Sequence, residues 1–140
     1  VLCQDDYQKA QLLKYHRQRI DQGLNSLIFG LASFAEGVDL PGHYCEHVLI
    51  AKIPFAVPDD PIEMTLSTWI EQQGQNSFMT LAVPDAAFRL VQASGRLLRS
   101  ESDFGRITVF DDRLFTKRYG KQILASLPPY RQERIQIPRA

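Results

Sequence analysis

The sequence predicts an α/β fold with a largely parallel sheet. Three observations carry that prediction. The apolar runs "LNSLIFGLA", "HVLIAKI" and "RITVF" lack internal alternation and read as strands buried on both faces. Segments of helical periodicity lie between them. A chain of 140 residues, 44% hydrophobic and 23% charged, suits one domain with a real core. Strands alternating with helices then favour crossover units over hairpins.

The elements follow in order. "VLC" reads as the end of a strand, and Asp5 or Asp6 can cap the helix after it. In "YQKAQLLKYHRQRI", Leu12, Leu13, His16 and Ile20 share one helical face, with His16 at the rim of the core. Gly23 is placed to stop that helix. After the second strand run comes "PFAVPDDP", a proline-rich loop. Asp60 supplies a cap there, and Pro61 suits the first helical position. Ile62, Leu66, Trp69, Ile70 and Gln73 trace the packing side of the next helix, which Gly74 ends. "NSFMTLAVP" reads as an extended connector, and a further helix starts near Asp85. A last amphipathic helix is expected over roughly Leu114 to Leu127, before an extended tail, "PPYRQERIQIPRA".

Net charge is zero, but the charges are segregated. Residues 1–84 carry 5 Lys/Arg against 10 Asp/Glu, a balance of −5, and residues 85–140 carry 11 against 6, a balance of +5. A basic half of this kind serves an anionic ligand or is a solvated basic face. Cys3 and Cys45 form neither a disulfide framework nor a zinc spacing, and reduced thiols in a cytoplasmic protein are the plain reading. His43, Cys45 and His47 would share a face of a strand, but no fourth zinc ligand of matching spacing appears. The longest apolar run, "SLIFGLASFA", falls short of the ~20 residues that span a bilayer. The chain opens at Val1 within an apolar patch, which suggests a fragment of something longer.

Two clusters can carry chemistry. In "LVQASGRLLRSESD", Arg89, Gln92, Arg96 and Arg99 fall within one narrow helical arc, while Leu90, Val91, Leu97 and Leu98 face elsewhere. Gly95 in a helix interior costs about 1 kcal/mol against alanine, which a close approach beside Arg96 would explain. The alternative is a solvated row pairing with Glu101 and Asp103. In "GLASFAEGVDLPG", Glu36, Gly37 and Asp39 lie in a turn beyond a strand, where open α/β sheets bind ligands. The alternative there is an Asx-type turn at Asp39.

Taken as an ordered pair, these clusters resemble motifs V and VI of superfamily 2 DNA helicases. More narrowly they are similar to the XPD/DinG branch of 5′-to-3′ helicases. Ser33, Glu36, Gly37 and Asp39 match S-x-x-E-G-x-D, and Gln92, Gly95, Arg96 and Arg99 match Q-x-x-G-R-x-x-R. "AKIPFAVPDDP", "VPDAAFRLVQ" and "DDRLFTKRYG" also resemble bacterial DinG-type proteins, the YoaA type most closely.

The resemblance implies a RecA-like three-layer α/β/α domain over residues 1–127, truncated on its N-terminal side, with an extended tail over residues 128–140. It implies the second motor lobe of an ATP-dependent DNA helicase acting in repair or replication. ATP and Mg2+ would be held mainly by a first lobe, since this sequence has no phosphate loop and no acidic box. An iron–sulfur cluster is expected in the full-length parent and not on Cys3 and Cys45. Arg96 and Arg99 would reach the phosphates, with Gln92 orienting them or the attacking water. Glu36, Gly37, Asp39 and Gly95 would contact or sense nucleotide. Ser33 and Lys52 would touch the backbone of single-stranded or forked DNA, although Lys52 also reads as a side chain snorkelling from a strand end. The expected protein partner is the first RecA-like lobe. A rival reading makes this piece a docking module for a replisome accessory subunit, the clamp-loader chi protein, through its tail. The isolated chain is expected to be inactive.

Overall fold

The computed structural model describes residues 1–31, 34, 37–57, 59–95 and 104–136. Strand β1 (Leu2–Cys3) leads into helix α1 (Lys9–Asp21) and strand β2 (Ile28–Phe29). A short 3₁₀ turn (Gly42–Tyr44) precedes strand β3 (His47–Ile50). Helix α2 (Pro61–Gln72), a π-helical turn (Phe78–Ala82) and helix α3 (Val83–Ser94) follow. Strand β4 (Arg106–Val109) and helices α4 (Arg113–Thr116) and α5 (Arg118–Ala125) complete the order.

The strand pairs are parallel, as expected of an α/β fold. Leu2 faces Ile28 and Cys3 faces Phe29. His47 faces Arg106, and the register continues to Ile50 opposite Val109. Burial differs from expectation. Among the described residues the strands form two separate two-stranded ladders, so each strand has one neighbour. β3 therefore alternates in exposure instead of being buried on both faces, and Leu49 is 46% exposed. At β2, Phe29 is 68% exposed.

Helix ends are set by local chemistry. The Asp60 carboxylate accepts the Ile62 N–H at 2.8 Å, with Pro61 just inside the helix, which fixes the start of α2. α1 and α2 both close with a paired bond pattern around glycine. Gly23 N–H reaches Ile20 O and Leu24 N–H reaches Arg19 O, and Gly74 and Gln75 repeat this on Glu71 and Ile70. The cap expected from Asp5 or Asp6 is not made: Gln8 occupies the cap position of α1 without a side-chain bond.

Three further expectations are corrected. "NSFMTLAVP" is helical, not extended. Asn76 Oδ1 accepts the Met79 N–H at 3.0 Å and starts a helix that continues into α3. Pro84 cannot donate to the ladder, and the turn just before it widens to π geometry. The single helix expected over Leu114 to Leu127 is two helices, broken at Lys117, whose backbone is extended (φ −103°, ψ 145°). α5 folds so tightly onto α4 that a Cβ on Gly120 would overlap the Leu114 and Arg113 carbonyl oxygens. Lastly, the apolar stripe of α2 buries Ile70 alone, leaving Ile62 and Trp69 76% and 57% exposed.

The core gathers where α3 and α5 meet the exits of β3 and β4. Ile53, Val83, Ala86, Ala87, Leu90, Leu114 and Ile123 form it. Each large side chain fully buried there contributes about 1.5–3 kcal/mol relative to exposure. Phe55, Phe78 and Tyr119 extend it as a three-ring cluster with centroids 5.3–5.7 Å apart. The tail is anchored in part: the Arg134 guanidinium lies 4.9 Å over the Phe115 ring, and Tyr130 Oη is 3.3 Å from Ser94 Oγ.

Candidate functional site

The described candidate residues fall in three places. Gln92 rides on the exposed side of α3, within its last turn. Gly95 caps that helix at φ −65° instead of lying in its interior. A Cβ there would meet the Val91 and Gln92 carbonyl oxygens at 3.5 and 3.6 Å, an ordinary contact, so nothing described in this chain requires glycine at that point. Arg89 of the same arc is drawn back along the helix, its Nε 2.7 Å from Asp85 Oδ2. Arg96 and Arg99 lie outside the described residues, as do Leu97, Leu98, Glu101 and Asp103.

The second place is the loop beyond β2. Gly37 has φ +70°, a conformation that a side chain would strain. Asp39 is exposed, and its backbone carbonyl accepts Arg17 Nη2 at 2.7 Å. Ser33 and Glu36 lie outside the described residues. The far end of this loop is tied to α1 as well. His16, 5% exposed and so buried beyond the expected rim position, donates from Nε2 to Tyr44 O at 2.8 Å and meets Ser26 Oγ through Nδ1 at 2.9 Å. A carbonyl can only accept, so in the neutral ring Nδ1 accepts the Ser26 hydroxyl hydrogen. The Tyr44 phenol donates to Asp21 at 2.8 Å. That bond raises the phenol pKa, and burial and the Asp21 charge add to the shift.

The third place is the carboxyl end of the β3–β4 ladder. Lys52 is exposed on a bend between Ile50, the last residue of β3, and buried Ile53. It lies past the strand and not within it. The Ile53 N–H donates to Asp111 Oδ2 at 2.9 Å. Arg113 grips the same carboxylate with Nε on Oδ1 at 2.8 Å and Nη2 on Oδ2 at 2.6 Å. Its own backbone N–H adds a bond to Oδ1 at 3.1 Å. The guanidinium also lies 5.6 Å over the Phe55 ring. Arg113 holds the Asp111 carboxyl down at about 2 against the opposing effect of burial, aided by the Ile53 and Arg113 N–H groups. Asp111 in turn raises the pKa of Arg113.

Sequence reasoning missed this clamp. Its signal was present in "VFDDR", an apolar strand end followed by a carboxylate and an arginine two residues on. The alternating His43, Cys45 and His47 do not share a strand face. The first lies in the 3₁₀ turn, and His47 Nε2 is engaged with Thr108 Oγ1 at 2.8 Å. Among the described residues no three His, Cys, Asp or Glu side chains gather to hold a metal ion. The sequence holds two cysteines, too few for a four-cysteine cluster. No helix among the described residues is long and apolar enough to cross a membrane.

The parallel strand pairs, with helices between them and loops at the strand exits, are those of an α/β RecA-like fold. Over residues 1–130 the chain matches the helicase C-terminal domain family, and it belongs to that family. It is similar to the ATP-dependent DNA helicase DinG of Photobacterium profundum, with 42% identity over 132 residues, covering 94% of this chain and 19% of that protein. Identity to DinG of Escherichia coli (strain K12) is 38% over 138 residues, covering 99% of this chain and 19% of that protein. DinG of Salmonella typhimurium gives the same figures. The chain thus spans about a fifth of the length of these relatives. The expected kinship with DinG-type helicases holds.

Proposed function

We propose that this chain is the second motor lobe of an ATP-dependent, 5′-to-3′ DNA helicase that serves DNA repair or replication in the cytoplasm. The observation that carries the reading is the ordered motif pair, Ser33–Asp39 and Gln92–Arg99, within a helicase C-terminal domain. ATP and Mg2+ are held mainly by a first RecA-like lobe elsewhere in the polypeptide, along with an iron–sulfur cluster. Arg96 and Arg99 reach the phosphates, and Gln92 on α3 orients them or the attacking water.

The chemistry suits those residue types. Phosphoryl transfer spreads charge over the phosphate oxygens, and catalysis is mostly positioning and charge stabilisation. A guanidinium is permanently charged and binds two oxygens at once. Glu36, Gly37, Asp39 and Gly95 contact or sense the nucleotide, and α1 holds the loop that carries Asp39, through Arg17 at the Asp39 carbonyl and His16 at the Tyr44 carbonyl. Ser33 and Lys52 touch the backbone of single-stranded DNA.

The test is DNA-stimulated ATP turnover by the full-length polypeptide. Arg96→Ala and Arg99→Ala should each lower it by about 10³-fold or more, with the melting temperature retained. Wild-type turnover in both variants would end the assignment.

A further inference from the structure

We infer that Asp111, gripped by Arg113, is a positioning residue for Lys52 and so for the DNA backbone contact at this end of the sheet. The inference rests on the DNA-contact reading of Lys52 given above. Neither Asp111 nor Arg113 belongs to the motif pair.

The geometry is that of a built clamp. Lys52 has two exposed residues' worth of slack, Ala51 and itself, between fixed points. On one side Ile50 is held in the ladder, its carbonyl accepting the Phe110 N–H at 2.9 Å. On the other side the Ile53 N–H is taken by Asp111 at 2.9 Å, across 58 residues of sequence. Ile53 itself is 4% exposed within the core, so it cannot shift without disturbing packing. Two residues further on, Phe55 lies under the Arg113 guanidinium and against Phe78 and Tyr119. The Phe55 N–H closes a tight turn onto Ile53 O at 2.8 Å.

A charged acceptor is well suited to this task. Asp111 is buried at 8% exposure, and its two oxygens take four N–H donors, from Ile53, the Arg113 backbone and two nitrogens of the Arg113 side chain. Charge-assisted, forked bonds of this kind hold direction as well as distance. An amide at the same position would present one N–H2 toward donors and lose half of the grip. The bend at Lys52 would then sample more conformations, and a lysine that must order on binding loses affinity through that entropy.

A double-mutant cycle in the full-length polypeptide tests this, with single-stranded DNA affinity measured across a salt series. Lys52→Gln should lower the slope of log affinity against log salt by about 0.7, the loss of one phosphate contact, which is about fivefold near 0.1 M salt. Asp111→Asn should lower affinity in the Lys52 background and have no further effect once Lys52 is glutamine. If Asp111→Asn fails to fold, Arg113→Lys, which keeps the charge and loses the fork, takes its place in the cycle. Additive effects, or a clamp variant with unchanged DNA binding beside a defective Lys52→Gln, would overturn the inference while leaving the Lys52 contact standing. Unchanged binding by Lys52→Gln would remove the contact itself, and the inference with it.

Discussion

His16 of α1 donates a hydrogen bond to the carbonyl of Tyr44 at 2.8 Å, joining residues 28 apart in sequence. The bond ties the downstream end of the Gly37–Asp39 loop to the same helix whose Arg17 holds Asp39 itself. Replacing His16 by phenylalanine keeps the ring volume and strands both the carbonyl and the Ser26 hydroxyl. The expected cost is about 1–3 kcal/mol, read by urea denaturation, with amide exchange accelerated across residues 37–45. Unchanged exchange there would show that α1 does not hold the loop.

Acid should act through Asp111. Its folded pKa lies below its ordinary value, 3.8, at about 2. The contribution is therefore full above pH 4 to 5, and it is lost as pH falls through the range between those values. The difference corresponds to at most about 2 kcal/mol, reduced because solvent reaches the Arg113 side. The stability gap between wild type and Asp111→Asn should be constant from pH 7 to 5 and close toward pH 2. A gap that widens on acidification would contradict the sign.

Gly120 has no room for a methyl group. Its added Cβ would press on the Leu114 and Arg113 carbonyl oxygens, which are backbone atoms and cannot swing aside. Gly120→Ala should destabilise the chain by about 1–3 kcal/mol or more, although alanine is the better helix former. A rise in melting temperature would mean that α4 and α5 do not meet this closely.

The chain by itself should not hydrolyse ATP, with or without single-stranded DNA, because its sequence contains no phosphate loop. Phosphate release at background checks this. Turnover by the pure chain that is lost in Arg96→Ala would require a complete nucleotide site within these residues.

Local signals were legible and non-local ones were not. Asp60 with Pro61, and the glycines after α1 and α2, act on backbone groups within a few residues, so their roles could be read directly. Asn76 acts in the same local way, accepting the Met79 N–H, although the segment it starts reads in sequence as an extended connector. The α2 stripe looked like a packing face, yet periodicity cannot say whether anything covers it. At the candidate site, Gly37 and Asp39 stood out by motif, whereas the Asp111–Arg113 clamp sat unremarked in a segment valued only for its resemblance.

Sequence alone determined the order of the motifs, the helicase C-terminal kinship and the alternation of helices with parallel strands. Those features depend on residue type and spacing along the chain. The tertiary structure decided the rest: that β3 has one neighbour among the described residues, that α4 and α5 part at Lys117, and that Ile53 meets Asp111 while His16 meets Tyr44. Such contacts join groups tens of residues apart, and their partners become neighbours only after the core has brought the strand exits and helices together.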